Sequence, residues 1–464
     1  VNKKKRILIP ITGQGAVTHI VRTGILQKIS TDVHPIIILY WKDDVLKSEL
    51  ENLGAEVHLM RFVELSAQYK SLYYKINLWY LNKVLNFNGI KIEDKLHKTY
   101  RFSNKKIIKT IRYWYNLILV NFPVYVNHLL HKEKEIFLQE KLFKEYTTWL
   151  SSLHIDGLFT VTPFLQEINL IARILQLKNK PILASVHSFD NVTKRGWQPT
   201  VFDEYIVWNE YNKKELLSIH KKLNQHQIHI AGAPQFDFHY NNIFLLPKEQ
   251  WLQIIGLPAN KKIILYAGGA ASLFPTEPQY AKHVTEAIDN GIIDNNVVVL
   301  VRNHPLDTVQ RWKEMIGEST NVFFYEPQHG KQKLDYTNVD DFAIKMLIST
   351  LYYTDIHINL CSTMTVDGSV FNKPQIAPYY DDMNKAGEAA LRNIYYQEHY
   401  KPILNSGVLQ FANSKQSLIT LINNNLANSS YYTNNCKKCV EEIITYTDGK
   451  SGERVVEIFQ NFFR

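Results

Sequence analysis

Cysteine is scarce in this sequence, with only Cys361, Cys436 and Cys439 in 464 residues. Three thiols exclude a disulfide framework and point to a reducing compartment. Long apolar runs are missing too. A spanning helix needs roughly 20 uninterrupted residues, and the best stretch, YNLILVNFPVYV, is broken by Asn121 and Pro123. The opening KKKRILIPITGQG has an apolar run of five residues that ends in a glycine loop, so it reads as a first buried strand rather than a signal peptide. Nineteen glycines and sixteen prolines are too few for a collagen-like or broadly disordered chain. Metal spacings are absent as well: seventeen histidines form no H-E-x-x-H, and the pair Cys436 and Cys439 has no second pair to complete a zinc site. These absences predict a soluble, cytoplasmic chain with no metal and no cofactor.

What is present is length and an uneven charge. At 464 residues the chain exceeds one ordinary domain, and two cores are expected. The net charge is +9. Between Leu65 and Leu150 there are 15 basic and 6 acidic residues, so this segment carries the whole excess. One surface, rather than the whole molecule, is set to meet an anion.

Hydropathy gives the architecture. The runs KKRILIPI, HPIIILYW and AEVHLMRFV read as strands, separated by helical spacing over AVTHIVRTGILQKI and KDDVLKSELENLG. Continuous β-branched strands alternating with amphipathic helices mean a parallel sheet covered on both faces. From about residue 65 to 150 the rhythm gives way to long helical, aromatic and basic sequence. It resumes with DGLFTV, PILASV, EYIVWN and QIHIAG. The stretch FHYNNIFLLPKEQWLQIIGLPAN reads as a linker, and KKIILYAGGAA then opens a second unit of the same type. The expectation is an α/β protein of two facing Rossmann-like domains, 1–240 and 241–464, with a helical insertion in the first. Ligands of such sheets lie beyond the carboxyl ends of the strands, so the loops there carry the candidate site.

Four of these loops stand out. VRNHPLD ends a strand with Arg302 and His304, both able to donate to phosphate oxygens, although a plain surface turn is the alternative. LCSTMTVDGSVFNKPQI presents Ser362 and Thr363 at a helix start, a place suited to an anion, with Asp367 one turn on; a simple cap is the alternative. In YAGGAAS, Gly268 and Gly269 allow close backbone approach to a ligand. HSFDNVTKRG gathers His187, Asp190, Asn191, Lys194 and Arg195, where a carboxylate beside basic groups suits a general base; an Asx-turn is the alternative. His19, on the first helix, either faces the ligand side or packs inward. No D-x-D motif follows a strand, and the acidic pair Asp381–Asp382 comes late in the second domain.

Together, VRNHPLD, the STMT-VDGSVFNKP segment and GAPQFD at Gly232–Asp237 resemble the GT-B glycosyltransferases of bacterial surface-polysaccharide synthesis and the CDP-glycerol glycerophosphotransferases. The resemblance implies phosphate binding by Arg302, His304, Ser362 and Thr363, and ribose binding by Asp367, which stands where glutamate is commoner. HSFDNVTKRG resembles the acceptor-side loop of these enzymes, which implies Asp190 as base. His187, Asn191 and Lys194 then line the acceptor. TGQGAVTH resembles the GT-B N-terminal glycine loop, so Gly13 and Gly15 belong to the acceptor side. Ala16 replaces the histidine usual there, leaving His19 to stand in. The implied reaction is metal-independent transfer from a nucleotide-activated sugar to a glycan or lipid-linked acceptor. The resemblance does not cover the basic aromatic segment, whose charge and aromatics by themselves suit an anionic membrane surface or a lipid-linked phosphate, with an ordinary helical insertion packing its own core as the alternative. A nucleotide-sugar 2-epimerase and a glycerophosphate transferase share the fold. A nucleic-acid-binding protein is the rival of another class, but no recognisable module supports nucleic acid as a partner.

Overall fold

The computed structural model describes residues 4–85, 107–305, 307–325, 340–385 and 387–464. These fall into two units. The first holds 4–85, 107–235 and 450–464, and the second holds 236–449.

In the first unit the apolar run RILIPI becomes β1 (Arg6–Ile11), whose Ile7, Leu8, Ile9 and Ile11 are fully buried. Beside it lie β2 (His34–Leu39), β3 (Glu56–Leu59), β4 (Gly157–Thr160), β5 (Ile182–Ser185), β6 (Glu204–Val207) and β7 (Ile228–Ile230). All pairs are parallel and the order is β3-β2-β1-β4-β5-β6-β7. Burial on both faces explains why the inner strands β1, β2, β4, β5 and β6 read as apolar runs.

Between β3 and β4 the described chain is helical: α1 (Ala67–Trp79), α2 (Ile107–Leu119), α3 (Pro123–Gln139) and α4 (Lys141–Ser152). Ser66 caps α1 by accepting from the Tyr69 amide at 3.1 Å. After β4 comes α5 (Gln166–Leu177), and after β5 the single turn α6 (Asn191–Lys194). A buried triad ties α1 and α3 to α5. Tyr69 Oη donates to Glu133 Oε1 at 2.6 Å, and Arg173 Nη1 lies 2.6 Å from the same oxygen.

The second unit repeats the plan. β8 (Lys262–Ala267), β9 (Val297–Arg302), β10 (Val322–Tyr325), β11 (Ile356–Asn359), β12 (Gln375–Pro378) and β13 (Leu409–Ala412) run parallel in the order β10-β9-β8-β11-β12-β13. The helices used below are α7 (Pro278–Asp289) and α8 (Met364–Val370).

Two sequence assignments change. The supposed linker is part of the second core: Lys248–Ile255 is helical and its Trp251 is fully buried among Leu265, Leu300 and Met346. The terminal helix Ser451–Phe463 belongs to the first unit rather than the second. Its Val455, Phe459 and Phe463 join the core of β1 and β2, and Phe459 meets Phe159 with ring centroids 5.2 Å apart. A local hydropathy pattern identifies an amphipathic helix but not the sheet it covers.

Candidate functional site

In each sheet the strand order reverses beside the first strand, between β1 and β4 and between β8 and β11. Open α/β sheets bind ligands beyond the carboxyl ends of strands at such a reversal. Each unit therefore has its own candidate site, and each is described by itself.

In the first unit, Thr12 and Thr162 join the two loops of the reversal through their hydroxyls, 3.1 Å apart. Gly13 has room for a side chain. Gly15 has little, because an added Cβ would lie 3.1 Å from His187 Cδ2 and 3.3 Å from Nε2. The absence of a side chain at Gly15 thus admits the His187 ring to the reversal. His187 Nδ1 sits 3.1 Å from the Val161 carbonyl, and the Asn191 carboxamide lies 3.1 Å from the same nitrogen. Donation to the carbonyl puts the hydrogen on Nδ1 and the lone pair on Nε2, and it requires Asn191 to turn its carboxamide oxygen, in place of Nδ2, towards the ring. Burial pulls the His187 pKa down, against the upward effects of Asp190 and the Val161 carbonyl. The ring is neutral at neutral pH.

Asp190 is held within its own loop, accepting from Ser188 Oγ at 2.5 Å with Lys194 Nζ at 3.4 Å. Of the two positions open to His19, the structure shows the inward one. It is 1% exposed, with Nε2 3.2 Å from Ser185 Oγ, and burial lowers its pKa to about 3. The loop after α6 is gripped by the insertion. Asn77 Oδ1 accepts from the Trp197 amide at 2.7 Å, Tyr73 Oη donates to the Trp197 carbonyl at 2.6 Å, and the Tyr73 and Trp197 rings lie 5.4 Å apart. Gly196 is required there, since a Cβ would fall 2.4 Å from Asn77 Oδ1. Neither Tyr73 nor Asn77 stands in a motif, and only the contact reveals them.

In the second unit, Arg302 leaves the end of β9 and His304 follows it. The Arg302 guanidinium makes no hydrogen bond or ion pair among the described residues, and its Nε is buried. Burial lowers its pKa, while the charges of Tyr325 and Asp367 act in the opposite sense. His304 is shifted down by burial first and by Arg302 second. Asp307 anchors this loop, accepting from Trp312 Nε1 at 2.8 Å and Arg311 Nε at 2.9 Å.

At the end of β11, Cys361 has φ 43°, a left-handed conformation that costs a non-glycine residue of order 1–3 kcal/mol and is often found at functional sites. It turns the chain into Ser362 and Thr363. Several amides at this turn are already used: Ser362 N–H donates to Asn359 Oδ1 at 3.3 Å and Met364 N–H to Ser362 Oγ at 3.2 Å. The anion site expected from free backbone amides is reduced accordingly, and the two hydroxyls remain. Asp367, on α8, accepts from His239 Nε2 at 3.1 Å.

The glycine pair behaves differently from expectation. A Cβ on Gly268 would lie 2.7 Å from Trp312, and one on Gly269 would lie 2.7 Å from Phe274. The Gly269 amide is taken by the carboxyl of Glu277 at 2.8 Å. Close approach here is to the protein's own side chains, not to open space for a ligand. Glu277 was not distinguished in the sequence. It is 1% exposed, and burial pushes its pKa up to about 8, although the Gly269 amide and Arg311 pull it down. Asp381 is likewise internal, fully buried and accepting from Gln279 Nε2 and Thr276 Oγ1, each at 2.9 Å. Among the described residues no group of three or more His, Cys, Asp or Glu forms a metal-ligand set.

Comparison with known proteins bears on the fold and the family. Residues 179–460 match the CDP-glycerol:poly(glycerophosphate) glycerophosphotransferase family. No curated protein matches by sequence. Among solved structures the fold is similar to S. aureus MnaA with UDP, at TM-score 0.55 and 11% identity over 99% of this chain and 97% of that one. It is also similar to the UDP-GlcNAc 2-epimerase of Neisseria meningitidis bound to UDP-GlcNAc, at TM-score 0.55 and 10% identity over 98% and 100%. A glycosyltransferase from Rickettsia africae aligns over the whole of both chains at TM-score 0.50 and 14% identity. Two parallel sheets of this order and a match across more than half the sequence place the chain in the CDP-glycerol:poly(glycerophosphate) glycerophosphotransferase family, as a transferase with the glycosyltransferase-like GT-B fold.

Proposed function

We propose that this enzyme moves a sugar from a nucleotide-activated donor to a hydroxyl of a surface-glycan or lipid-linked acceptor. The observation that carries the reading is Arg302 at the end of β9, whose guanidinium has no partner among the described residues and whose Nε is buried. A half-buried cation without a counter-charge is costly, and a pyrophosphate offsets that cost with charge-assisted hydrogen bonds. Arg302, His304, Ser362 and Thr363 hold the phosphates, and Asp367 accepts from the ribose. On the acceptor side His187 Nε2 takes the hydroxyl proton. The acceptor oxygen bonds to the anomeric carbon, and the bond from that carbon to the phosphate oxygen breaks. The nucleoside diphosphate leaves with its charge stabilised by Arg302 and His304, so the reading needs no metal. Asp190 orients the loop and supports His187 electrostatically; Asn191 and Lys194 complete the acceptor side.

The family match favours a second reading, in which the acceptor oxygen attacks the glycerol-bearing phosphorus of CDP-glycerol and CMP leaves. The released nucleotide separates the two. Incubation with UDP-, GDP- and CMP-sugars and with CDP-glycerol yields the nucleotide of the sugar donor in the first case, and CMP from CDP-glycerol alone in the second. No acceptor-dependent release from any donor overturns both.

The acceptor's lipid linkage is supported by the insertion. No described helix is long and apolar enough to cross a membrane. Yet Trp114, Tyr115, Phe122 and Val124 on and after α2 are 57–82% exposed in the segment that carries the charge excess. Exposed aromatics among basic residues suit an interface with acidic headgroups, where each lysine or arginine contributes about 1 kcal/mol. Co-sedimentation with acidic liposomes that is lost at high salt is the expected result; equal failure with acidic and neutral liposomes at low salt excludes the surface.

A further inference from the structure

His239 lies on the 3-10 segment Pro234–Tyr240, outside the residues assigned a role above. Its side chain is 3% exposed. The ring is sandwiched between Phe236, with centroids 4.7 Å apart and planes 20° apart, and Phe371, at 5.6 Å and 24°. Nε2 sits 3.1 Å from Asp367 Oδ1. A carboxylate only accepts, so Nε2 carries the hydrogen. Nδ1 is buried with no partner among the described residues. The two flanking rings therefore hold the imidazole for a single contact, the one to Asp367.

That contact has a competitor. Asp367 lies close enough to Arg302 for their charges to interact, yet the two form no ion pair. In a low-dielectric site such a pair would be strong once formed, and it would consume both the cation meant for phosphate and the carboxylate meant for ribose. We propose that His239 is a positioning residue that divides the charges of this site: by holding Asp367 Oδ1 it keeps the carboxylate for the donor's ribose and leaves Arg302 free for the donor's phosphates. The inference rests on the donor reading above and adds the residue that keeps the two binding groups from neutralising each other.

The test is calorimetric titration of the full chain with CDP, UDP and inorganic pyrophosphate. His239→Phe fills the space between the rings but removes the N–H. It is expected to weaken the nucleoside diphosphates and pyrophosphate alike, by about ten- to a hundredfold. His239→Gln, which restores an N–H donor, recovers part of the loss. The decisive variant is the double substitution His239→Phe with Asp367→Asn. Without a carboxylate to capture Arg302, pyrophosphate affinity returns towards wild type, while the ribose-dependent advantage of CDP and UDP stays lost. Unchanged affinities in His239→Phe overturn the proposal. So does pyrophosphate binding as weak in the double variant as in the single one, since the loss would then be structural. Wild-type protein that binds none of the three ligands removes the donor reading, and this inference with it.

Discussion

A neutral histidine fixed at Nδ1 by a carbonyl is suited to accept a proton at Nε2, and His187 has that arrangement at the reversal of the first sheet. His187→Ala is expected to lower the turnover number by about 10²–10⁴ while leaving nucleotide affinity unchanged. Because burial depresses the His187 pKa, the acid limb of the rate profile should fall below pH 6.5, with activity rising as the ring loses its proton and flat through neutrality. A pH–rate profile with its limb above 6.5 moves the base elsewhere. His19 makes a separate prediction about stability. Its pKa is about 3 in the folded chain against 6.5 unfolded, so between these values the unfolded chain binds the extra proton. Stability from this group is complete above pH 6.5 and is lost as pH falls towards 3, at up to about 1.4 kcal/mol per pH unit. Denaturant midpoints at pH 7 and pH 5 should converge in His19→Gln. At this scale the sequence was legible where a residue's neighbours in the chain are also its neighbours in space. Arg302, His304 and Ser362 sit on strand ends that hydropathy alone locates. The 128-residue separation of His239 and Asp367, and the burial of Glu277 in an unremarkable LFPTEPQ, left no local mark.

Between elements, the insertion is joined to the sheet unit by a few polar contacts of high consequence. Arg173 and Tyr69 both engage Glu133, which is 2% exposed. Removing the cation leaves a buried carboxylate uncompensated, so Arg173→Ala should cost about 3–5 kcal/mol, read from denaturant unfolding. The grip on Trp197 is subtler. Asn77→Ala leaves the Trp197 amide without its acceptor, a loss of about 1–3 kcal/mol. Because that amide lies two residues past Arg195 and three past Lys194, the variant should raise the acceptor KM more than the donor KM. Equal changes in both would make the contact a scaffold only. Sequence reading found the insertion as a helical, basic, aromatic tract. It missed this grip because tyrosines and asparagines on an amphipathic helix look the same whether they face solvent or a loop.

For the molecule as a whole, the two parallel sheets were legible because buried parallel strands announce themselves as apolar runs, and two sets of them follow one another; the order of the strands within each sheet was not. The course of the chain between units was not. The described residues of the second unit all lie between 236 and 449, whereas the first is completed by the helix Ser451–Phe463, whose Phe463 occupies the space beside Gly157 that any side chain would need. This arrangement has a bearing on synthesis. At about 5–20 residues per second, the seven strands of the first sheet wait on the order of tens of seconds for the segment that seals them. The unit begun first is therefore finished last, and a ribosome that stalls late releases a chain whose later half is whole and whose earlier half has an open apolar face.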